Sequence, residues 1–309
     1  MLQTKAKLIK NIEVTKNYYK IIISCPRLAR LARPGQFLQV KVADADEPLL
    51  RRPFSIHRVS CQLSAVSCQQ GIIDKKPNAI EILYEVVGRA TEILARRKSG
   101  EYLDVIGPLG QGFDYRTAYG VPRTALLVAG GMGVAPLFFL ADKLCERNTQ
   151  YARRPPSPRL RRTVRRSFNE GGRNTLVLIG ARTKNQILCE KEFQELGCEV
   201  KIATDDGSRG FKGKATDLLE KQLSAVSCQL SAIYACGPRP MLKAVAAVSA
   251  KYHIPAQISL EEHMACGIGA CLGCVVKTRD EGRGTRDEFR YKRVCKEGPV
   301  FNADEIVWE

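Results

Sequence analysis

The sequence has few histidines and no long uninterrupted apolar run. Its 309 residues include only three histidines, so a mechanism that depends on histidine as an acid or base has little support. The longest apolar run, Ala125 to Ala141, contains Gly130, Gly131, Gly133 and Pro136, which exclude a bilayer-spanning helix. The N-terminus alternates charged and apolar residues and lacks the apolar segment of a secretory signal. We therefore expect a cytoplasmic protein.

Acidic residues are also scarce relative to basic ones. The chain has 32 Asp and Glu against 49 Lys and Arg, which gives a net charge of +17. The segment from Arg153 to Arg173 contains eight arginines, three prolines and a single glutamate. Because it has no apolar period, we predict a solvated loop. A nucleic-acid-binding arm is the alternative, although no helical stripe of arginines supports it.

The pattern along the chain predicts a multi-domain protein. Residues 1–117 contain short β-rich runs separated by Pro, Gly or charged turns, which predicts a small antiparallel β-barrel. Residues 118–254 alternate strands with helices, as in an α/β domain with a parallel sheet, and the Arg-rich insertion at 147–174 interrupts this pattern. Residues 255–309 are rich in Cys and Gly and are expected to form a small C-terminal domain that a metal stabilises.

An eight-residue sequence, QLSAVSCQ, occurs twice, at Gln62–Gln69 and at Gln222–Gln229. Two copies this far apart do not make a solenoid. Each copy lies beside a predicted strand, so we interpret both as short insertions into surface loops, where added length costs little. Their cysteines are accordingly not counted as metal ligands.

The strongest chemical signal is a group of four cysteines near the C-terminus. Cys266, Cys271 and Cys274 are spaced as C-x4-C-x2-C, and Cys295 follows. This is the spacing of a plant-type [2Fe–2S] site, in which four thiolates hold two irons. Gly267, Gly269 and Gly273 are expected to let the backbone fold tightly around the cluster. A structural zinc held by four cysteines is the alternative, although zinc ribbons usually show two C-x2-C pairs.

Four further motifs are suited to binding phosphates or a flavin. They are RPFS at Arg52–Ser55, GRAT at Gly88–Thr91, VAGGMGVAP at Val128–Pro136 and YACGPRPM at Tyr234–Met241. The forked N–H groups of an arginine guanidinium can bind a diphosphate. A turn from a strand into a helix brings backbone N–H groups close to a bound pyrophosphate. Each motif taken alone is also compatible with a purely structural turn.

In this order, RPFS, GRAT, GPLGQGF, AGGMGVAP, ACGPRPM and the cysteine tail resemble the ferredoxin–NADP reductase superfamily. Within it, SLEEHMACGIGACLGCVVKT and YKRVCKEGPVFNADEIVW resemble the electron-transfer subunits of type B dihydroorotate dehydrogenase. The resemblance covers the chain apart from the two repeats and the Arg-rich loop. It implies FAD, a [2Fe–2S] cluster and NAD⁺ as electron acceptor, in pyrimidine biosynthesis. It also implies a partner subunit that carries FMN and oxidises dihydroorotate, in a heterotetramer of two copies of each subunit.

The resemblance also assigns residues to each cofactor. The residues implied for FAD are Arg52, Pro53, Phe54, Ser55, Leu83, Tyr84, Glu85, Ala90 and Thr91. Those implied for NAD⁺ are Gly130, Gly131, Gly133, Cys236, Gly237 and Pro238, and those for the cluster are Cys266, Cys271, Cys274 and Cys295. No residue of this chain is expected to act as a general base on dihydroorotate, whose oxidation belongs to the partner.

Two positions depart from the family pattern, and two other functions remain open. Ala90 stands where the family commonly has Gly, and Glu85 where a basic residue is frequent. A related NAD(P)H:ferredoxin or sulfide oxidoreductase subunit is the first alternative, because such subunits share the barrel, the sheet and an iron–sulfur tail. Arg182 and Lys184 could favour the 2′-phosphate of NADP. The second is a zinc-stabilised, Arg-armed module that binds nucleic acid.

Overall fold

A computed structural model describes most of the chain, namely residues 1–43, 47–61, 76–115, 124–153, 175–225, 230–279 and 289–308. The chain divides into two compact units. The first contains residues 1–112, 262–275 and 292–299, and the second contains residues 113–261, 276–291 and 300–309. The first copy of the repeat and residues 154–174 of the Arg-rich loop lie outside the described residues.

The first unit is built on an antiparallel seven-stranded sheet with the order β4-β3-β7-β1-β2-β6-β5. Its edge strands β4 and β5 do not pair with each other, so the sheet forms an open half-barrel. The strands are β1 (Leu2–Thr15), β2 (Tyr18–Ser24), β3 (Phe37–Lys41), β4 (Arg52–Ser55), β5 (Arg58–Ser60), β6 (Ala79–Glu85) and β7 (Tyr102–Leu109). Two short helices accompany them, α1 (Pro26–Leu31) and α2 (Arg89–Ala95).

Alternation of buried and exposed residues explains these strands. In β7 every second side chain is buried, which is the pattern of a strand with one face on a core. The long first strand, β1, shows the same alternation at its start, where Ala6 and Leu8 are buried and Lys5 and Lys7 are exposed. The β-rich run from Phe54 to Val59, which the sequence pattern predicts as one strand, is divided between two strands, β4 and β5, and these pair with different neighbours, β3 and β6.

The second unit is built on a mostly parallel seven-stranded sheet with the order β11-β10-β9-β8-β12-β13-β16. Its strands are β8 (Thr124–Gly130), β9 (Thr175–Ala181), β10 (Glu199–Thr204), β11 (Phe211–Lys212), β12 (Leu230–Cys236), β13 (Ala256–Ser259) and β16 (Val300–Asn302). Its helices are α3 (Val134–Arg153), α4 (Glu190–Glu195), α5 (Ala215–Ala225) and α6 (Arg239–Tyr252). The remaining strands, β14 (Val275–Arg279) and β15 (Phe289–Arg293), form a separate two-stranded sheet.

The strand order of this sheet reverses around β8. From β8 the chain proceeds through β9, β10 and β11 on one side, and then returns to β12 and β13 on the other. Open α/β sheets bind their ligands at such a switch point, at the carboxyl ends of the strands. The motifs at the ends of β8 and β12 therefore lie where a nucleotide is expected.

The structure changes three details of the sequence-based description. Helix α3 runs from Val134 to Arg153 and so extends into the predicted Arg-rich loop. The second repeat is not purely a loop, because Gln222 to Ala225 form the end of α5 and Leu223 is buried. Residues 255–309, predicted as one C-terminal domain, are divided between the two compact units. Among the described residues no helix is long and apolar enough to cross a membrane.

Candidate iron–sulfur, flavin and nucleotide sites

The four predicted cluster cysteines lie together in the first unit and form two pairs. The Cys266 thiol lies next to that of Cys271, and the Cys295 thiol lies next to that of Cys274. Cys274 and Cys295 are buried, whereas Cys271 is exposed. Within the described residues no group of three or more His, Cys, Asp or Glu side chains is arranged to hold one metal ion. Two pairs of thiols are suited to a cluster of two irons, in which each iron takes two cysteines.

Backbone N–H groups point at the cysteine sulfurs. The N–H groups of Ile268 and Ala270 donate to Cys266 Sγ at 3.5 and 3.3 Å, and the N–H of Cys295 donates to Cys274 Sγ at 3.4 Å. Burial acts to raise the pKa of Cys266, but the N–H groups that bond its sulfur bring that pKa down to about 6. The loop therefore stabilises a thiolate, which is the form that binds iron.

The loop geometry depends on glycine at two positions and on one ion pair. Gly267 and Gly269 have positive φ, as expected, but Gly273 does not; the left-handed residue beside it is Leu272, with φ 58°. Arg293 donates from Nη1 to the carbonyl of Gly269 at 2.7 Å and is also paired with Glu297. The hydrogen bond from Arg293 lowers the pKa of Glu297 to about 2, so this pair stays charged and keeps the loop in place.

The RPFS motif forms β4, an edge strand of the half-barrel. Arg52, Pro53 and Ser55 are half-buried and Phe54 is buried. The Arg52 guanidinium donates to the carbonyl of Leu50 at 2.6 Å, which shows that the side chain folds back on its own loop. Because this partner is a neighbouring backbone carbonyl at an edge strand, the guanidinium can exchange it for a diphosphate without disturbing the sheet.

The other residues predicted for FAD differ in how accessible they are. Leu83 and Tyr84 have buried side chains on β6, and the Tyr84 ring packs edge-on against Phe54, with 5.6 Å between ring centroids. Direct flavin contact at this strand is therefore left to the backbone and to the half-buried Glu85. Tyr84 and Phe54 together link the two strands that are expected to hold the flavin.

The GRAT motif, Gly88–Thr91, forms the N-terminal end of helix α2. The Thr91 hydroxyl accepts hydrogen bonds from the N–H groups of Val87 and Gly88 at 3.0 and 3.2 Å and donates to the Gly88 carbonyl. It therefore caps its own helix. Ala90 lies inside the helix without positive φ, so its methyl group carries no backbone strain there.

The turn that follows β8 and the turn that follows β12 both contain glycines, and these two glycine turns of the second unit pack against each other with no space between them. A β-carbon added at Gly133 would lie 1.9 Å from the carbonyl oxygen of Cys236, and one added at Gly237 would lie 3.0 Å from the backbone of Gly130. Gly130 ends β8, and Cys236 ends β12 beside it. The predicted nucleotide residues Gly130, Gly131, Gly133, Cys236, Gly237 and Pro238 are thus brought together.

Cys236 is buried at the end of β12. Burial, followed by the nearby Glu261 carboxylate, raises the pKa of the Cys236 thiol well above its usual value. A thiol in this state is a poor nucleophile. Its place in the turn therefore agrees with packing beside a bound nucleotide and not with covalent catalysis.

One residue of the first unit that the sequence analysis did not single out is Gln39. It lies on β3 with its side chain fully buried, and both atoms of its amide lack a hydrogen-bond partner. The signal in the sequence was a polar residue in the middle of an apolar strand, Phe37–Lys41.

Comparison with known proteins gives two family matches along the chain. Residues 261–307 match the model for the iron–sulfur cluster binding domain of dihydroorotate dehydrogenase B. Residues 127–247 match the model for the oxidoreductase NAD-binding domain. The first match contains the four paired cysteines, and the second contains both glycine turns.

Solved structures define the class of protein. The fold is similar to that of an NADH-dependent reduced ferredoxin-NADP oxidoreductase, with a TM-score of 0.70, 25% identity and coverage of 99% of this chain and 90% of that one. It is also similar to a ferredoxin NADP⁺ reductase from Neisseria gonorrhoeae with bound FAD and NADP, with a TM-score of 0.57, 13% identity and coverage of 81% and 91%. Fold and sites thus define a flavin- and iron–sulfur-dependent oxidoreductase of the ferredoxin-reductase type.

The curated relatives identify the family within this class. The chain is 37% identical to the electron transfer subunit of dihydroorotate dehydrogenase B (NAD(+)) from Desulforamulus reducens, over 98% of both chains. It is 38% identical to the same subunit from Geobacillus thermodenitrificans, over 95% of this chain and 94% of the relative. The chain belongs to the family of dihydroorotate dehydrogenase B electron transfer subunits, as its motifs predicted.

Proposed function

We propose that this chain accepts electrons from a partner subunit that oxidises dihydroorotate and delivers them to NAD⁺, in cytoplasmic pyrimidine biosynthesis. The proposed assembly is a heterotetramer with two copies of each subunit. Family membership supports this proposal. The observation that carries it is the arrangement of the four cysteines of the first unit as two pairs, in which the sulfurs of Cys266 and Cys274 accept hydrogen bonds from backbone N–H groups. Neither a purely structural loop nor a nucleic-acid arm needs such an arrangement.

The cofactors supply the redox chemistry and the chain supplies binding and environment. FAD, when bound, supplies the link between the one-electron cluster and the two-electron reduction of NAD⁺. We propose that Arg52 to Ser55 and Leu83 to Glu85 hold the flavin, with phosphate contacts near Ala90 and Thr91 from backbone groups, because the Thr91 hydroxyl is already used as a cap. The turns at Gly130 to Gly133 and Cys236 to Pro238 are proposed to bind NAD⁺.

An apolar surface at the cluster loop supports the proposed docking of the partner. Ile268 and Leu272 on this loop and Val275 at the start of β14 are large apolar side chains, and each is exposed, Leu272 to 61%. Cys271, a proposed iron ligand, is exposed on the same loop. Apolar side chains exposed next to a redox centre are typical of a surface that a partner covers, and docking there would shorten the path for electrons.

The test is to purify the chain anaerobically, co-expressed with a candidate FMN-containing dihydroorotate dehydrogenase subunit. We expect a co-purifying complex with two irons, two sulfides and one FAD for each copy of this chain, which reduces NAD⁺ when dihydroorotate is added. Cys271→Ser should abolish the cluster spectrum and this reduction, while NADH oxidation by an artificial dye through FAD continues. Cys61→Ser replaces an exposed cysteine outside the four and serves as the matched control.

Two results would contradict the proposal. A colourless complex with one zinc and no flavin would overturn both cofactor assignments. Coupling to NADPH and ferredoxin, without reduction of NAD⁺ by dihydroorotate, would favour the related ferredoxin oxidoreductases. Arg182 and Lys184 are exposed just after β9, where a 2′-phosphate could be bound, so the rates with NADH and NADPH are to be compared in the same preparation.

A further inference from the structure

Gln39 is a fully buried amide that has no hydrogen-bond partner in the described part of the chain. Its side chain is 0% exposed, and neither Nε2 nor Oε1 is bonded. Buried amides are nearly always paired, because an unpaired one loses its bonds to water and gains nothing in return. An unpaired buried amide in a protein that binds cofactors indicates that a bound ligand supplies its hydrogen-bond partner.

The position of Gln39 associates it with the cluster loop. An added β-carbon on Gly267 would lie 2.1 Å from Nε2 of Gln39 and 2.5 Å from its Cγ, so the amide is packed directly against the residue that follows Cys266. Gly267 has φ 69° and has no room for a side chain. The amide nitrogen, the hydrogen-bond donor of this side chain, is therefore the group that touches the loop.

The same residue belongs to the sheet that carries the proposed flavin strand. On β3, Gln39 is in register with Pro53 of β4, the second residue of RPFS, and with Ile106 of β7. Phe37, two residues earlier, lies on the same face of the strand, and a β-carbon on Gly110 would lie 3.1 Å from its ring and 2.6 Å from the Gly298 carbonyl. This face of β3 therefore contacts the Cys266 segment at Gly267, and its Phe37 ring lies beside Gly110, where the Gly298 carbonyl of the Cys295 segment also lies.

We propose that Gln39 is a positioning residue of the iron–sulfur site, whose amide N–H donates a hydrogen bond to a sulfur of the cluster held by Cys266. This inference rests on the proposed function, since it requires the cluster. A hydrogen bond to a cluster sulfur stabilises the reduced cluster, which carries one more negative charge, and so raises its reduction potential. Gln39 thereby sets how readily the cluster accepts an electron, and it connects the cluster loop to the strand of the RPFS motif.

The experiment measures the reduction potential of the cluster in the complete complex. Gln39→Leu removes the N–H group and keeps the volume, and Gln39→Glu keeps the shape but replaces the donor by an acceptor. Both variants should retain two irons and one FAD for each chain, while the equilibrium constant for cluster reduction falls about tenfold, equivalent to about 59 mV for one electron. The electron paramagnetic resonance g values of the reduced cluster should shift, and the FAD potential should not.

Gln3→Leu is the matched control, because Gln3 is an amide of the same sheet whose partner is Asp104. Unchanged cluster potential and g values in both Gln39 variants would overturn the inference, as would a shift confined to the FAD potential, which would assign the amide to the flavin. If the leucine variant does not fold, the glutamate variant decides. Reduced wild-type complex labelled with ¹⁵N in its glutamine side chains should also show a nitrogen coupled to the cluster, and its absence would contradict the proposal.

A failure of this inference can be told apart from a failure of the proposed function. A preparation without iron and sulfide contradicts the function itself. A preparation that holds the cluster and reduces NAD⁺, but whose cluster reduction potential is the same in the wild type and the Gln39 variants, contradicts only the role of this residue.

Discussion

At the scale of single residues, Gly133 is the position at which the two proposed nucleotide-binding turns leave least room. A β-carbon there would lie 1.9 Å from the Cys236 carbonyl oxygen and 2.9 Å from the Gly237 nitrogen, and these backbone atoms cannot rotate away as a flexible side chain can. We expect Gly133→Ala to push the two turns apart, to lower the free energy of unfolding by roughly 2–3 kcal/mol, and to weaken NADH binding at least tenfold. Thermal unfolding and calorimetric titration with NADH measure the two effects.

The neighbouring Gly131 provides the control for this substitution. Nothing lies within 4 Å of a β-carbon added there, although its φ of 53° adds some strain. Gly131→Ala should therefore cost only about 1 kcal/mol, the usual penalty for a non-glycine residue in this region. Equal losses of stability in the two variants would show that the contact between the turns does not matter.

At the scale of secondary-structure elements, an ion pair ties the start of β4 to β7. Arg51 donates from Nη2 to Asp104 Oδ2 at 2.7 Å and from Nη1 to the Asp104 carbonyl at 2.8 Å. Partial burial acts to raise the pKa of Asp104, but the hydrogen bonds that it accepts from Arg51 and Gln3 bring this pKa below its usual value. This pair fixes the residue before the RPFS strand, and so supports the proposed flavin-binding edge of the sheet.

We expect Asp104→Asn to lower the free energy of unfolding by about 1–2 kcal/mol at neutral pH. A carboxyl whose pKa is lowered by folding adds stability above its unfolded pKa, and this contribution is lost as the pH falls through the folded value. The difference between the wild type and the variant should therefore be constant near neutrality and shrink below about pH 4. Denaturant unfolding from pH 3 to pH 7 measures it.

Glu47→Gln serves as the control for the ion pair, since its partner Arg89 and Glu47 itself are both largely exposed, at 71% and 72%. Exposed pairs add little to stability, so this variant should stay within about 0.5 kcal/mol of the wild type. A pH-independent loss in Asp104→Asn would mean that the hydrogen bonds, and not the charge, hold β4 in place.

At the scale of the whole molecule, the C-terminal residues serve both compact units. Val300–Asn302 form β16, which pairs with β13 at the edge of the second unit's sheet, while Cys295 belongs to the proposed cluster site in the other unit. Phe301 is buried and in register with Ile258. Damage to the last residues should therefore affect the nucleotide-binding unit, even though they directly follow the cluster segment.

Phe301→Ala should destabilise the nucleotide-binding unit by about 3 kcal/mol, the usual cost of truncating a buried phenylalanine. It should weaken NADH binding and leave the visible circular dichroism of the cluster unchanged. Phe289→Ala is the control, because Phe289 is 47% exposed on β15. Loss of the cluster signal with NADH binding intact would show that residues 300–302 support the cluster instead.

Features set by neighbouring residues were predictable from the sequence. The cysteine spacing, the glycine turns and the alternation in strands such as β7 each depend on a few adjacent positions, and together they predicted the fold class and the family. Thr91 shows the limit of such signals, because the motif predicts a phosphate contact while the hydroxyl caps its own helix. A threonine whose hydroxyl caps a helix cannot be told from the sequence alone apart from one whose hydroxyl binds a ligand.

What the sequence alone determined is therefore the class of protein and the cofactor chemistry, because cluster ligands and phosphate-binding turns are encoded in short local patterns. The tertiary structure alone decided which distant segments meet: β16 with β13, the Gly133 turn with Cys236, and the unpaired amide of Gln39 with Gly267. These contacts join residues far apart in the chain and depend on the burial of whole strands, so no local pattern encodes them.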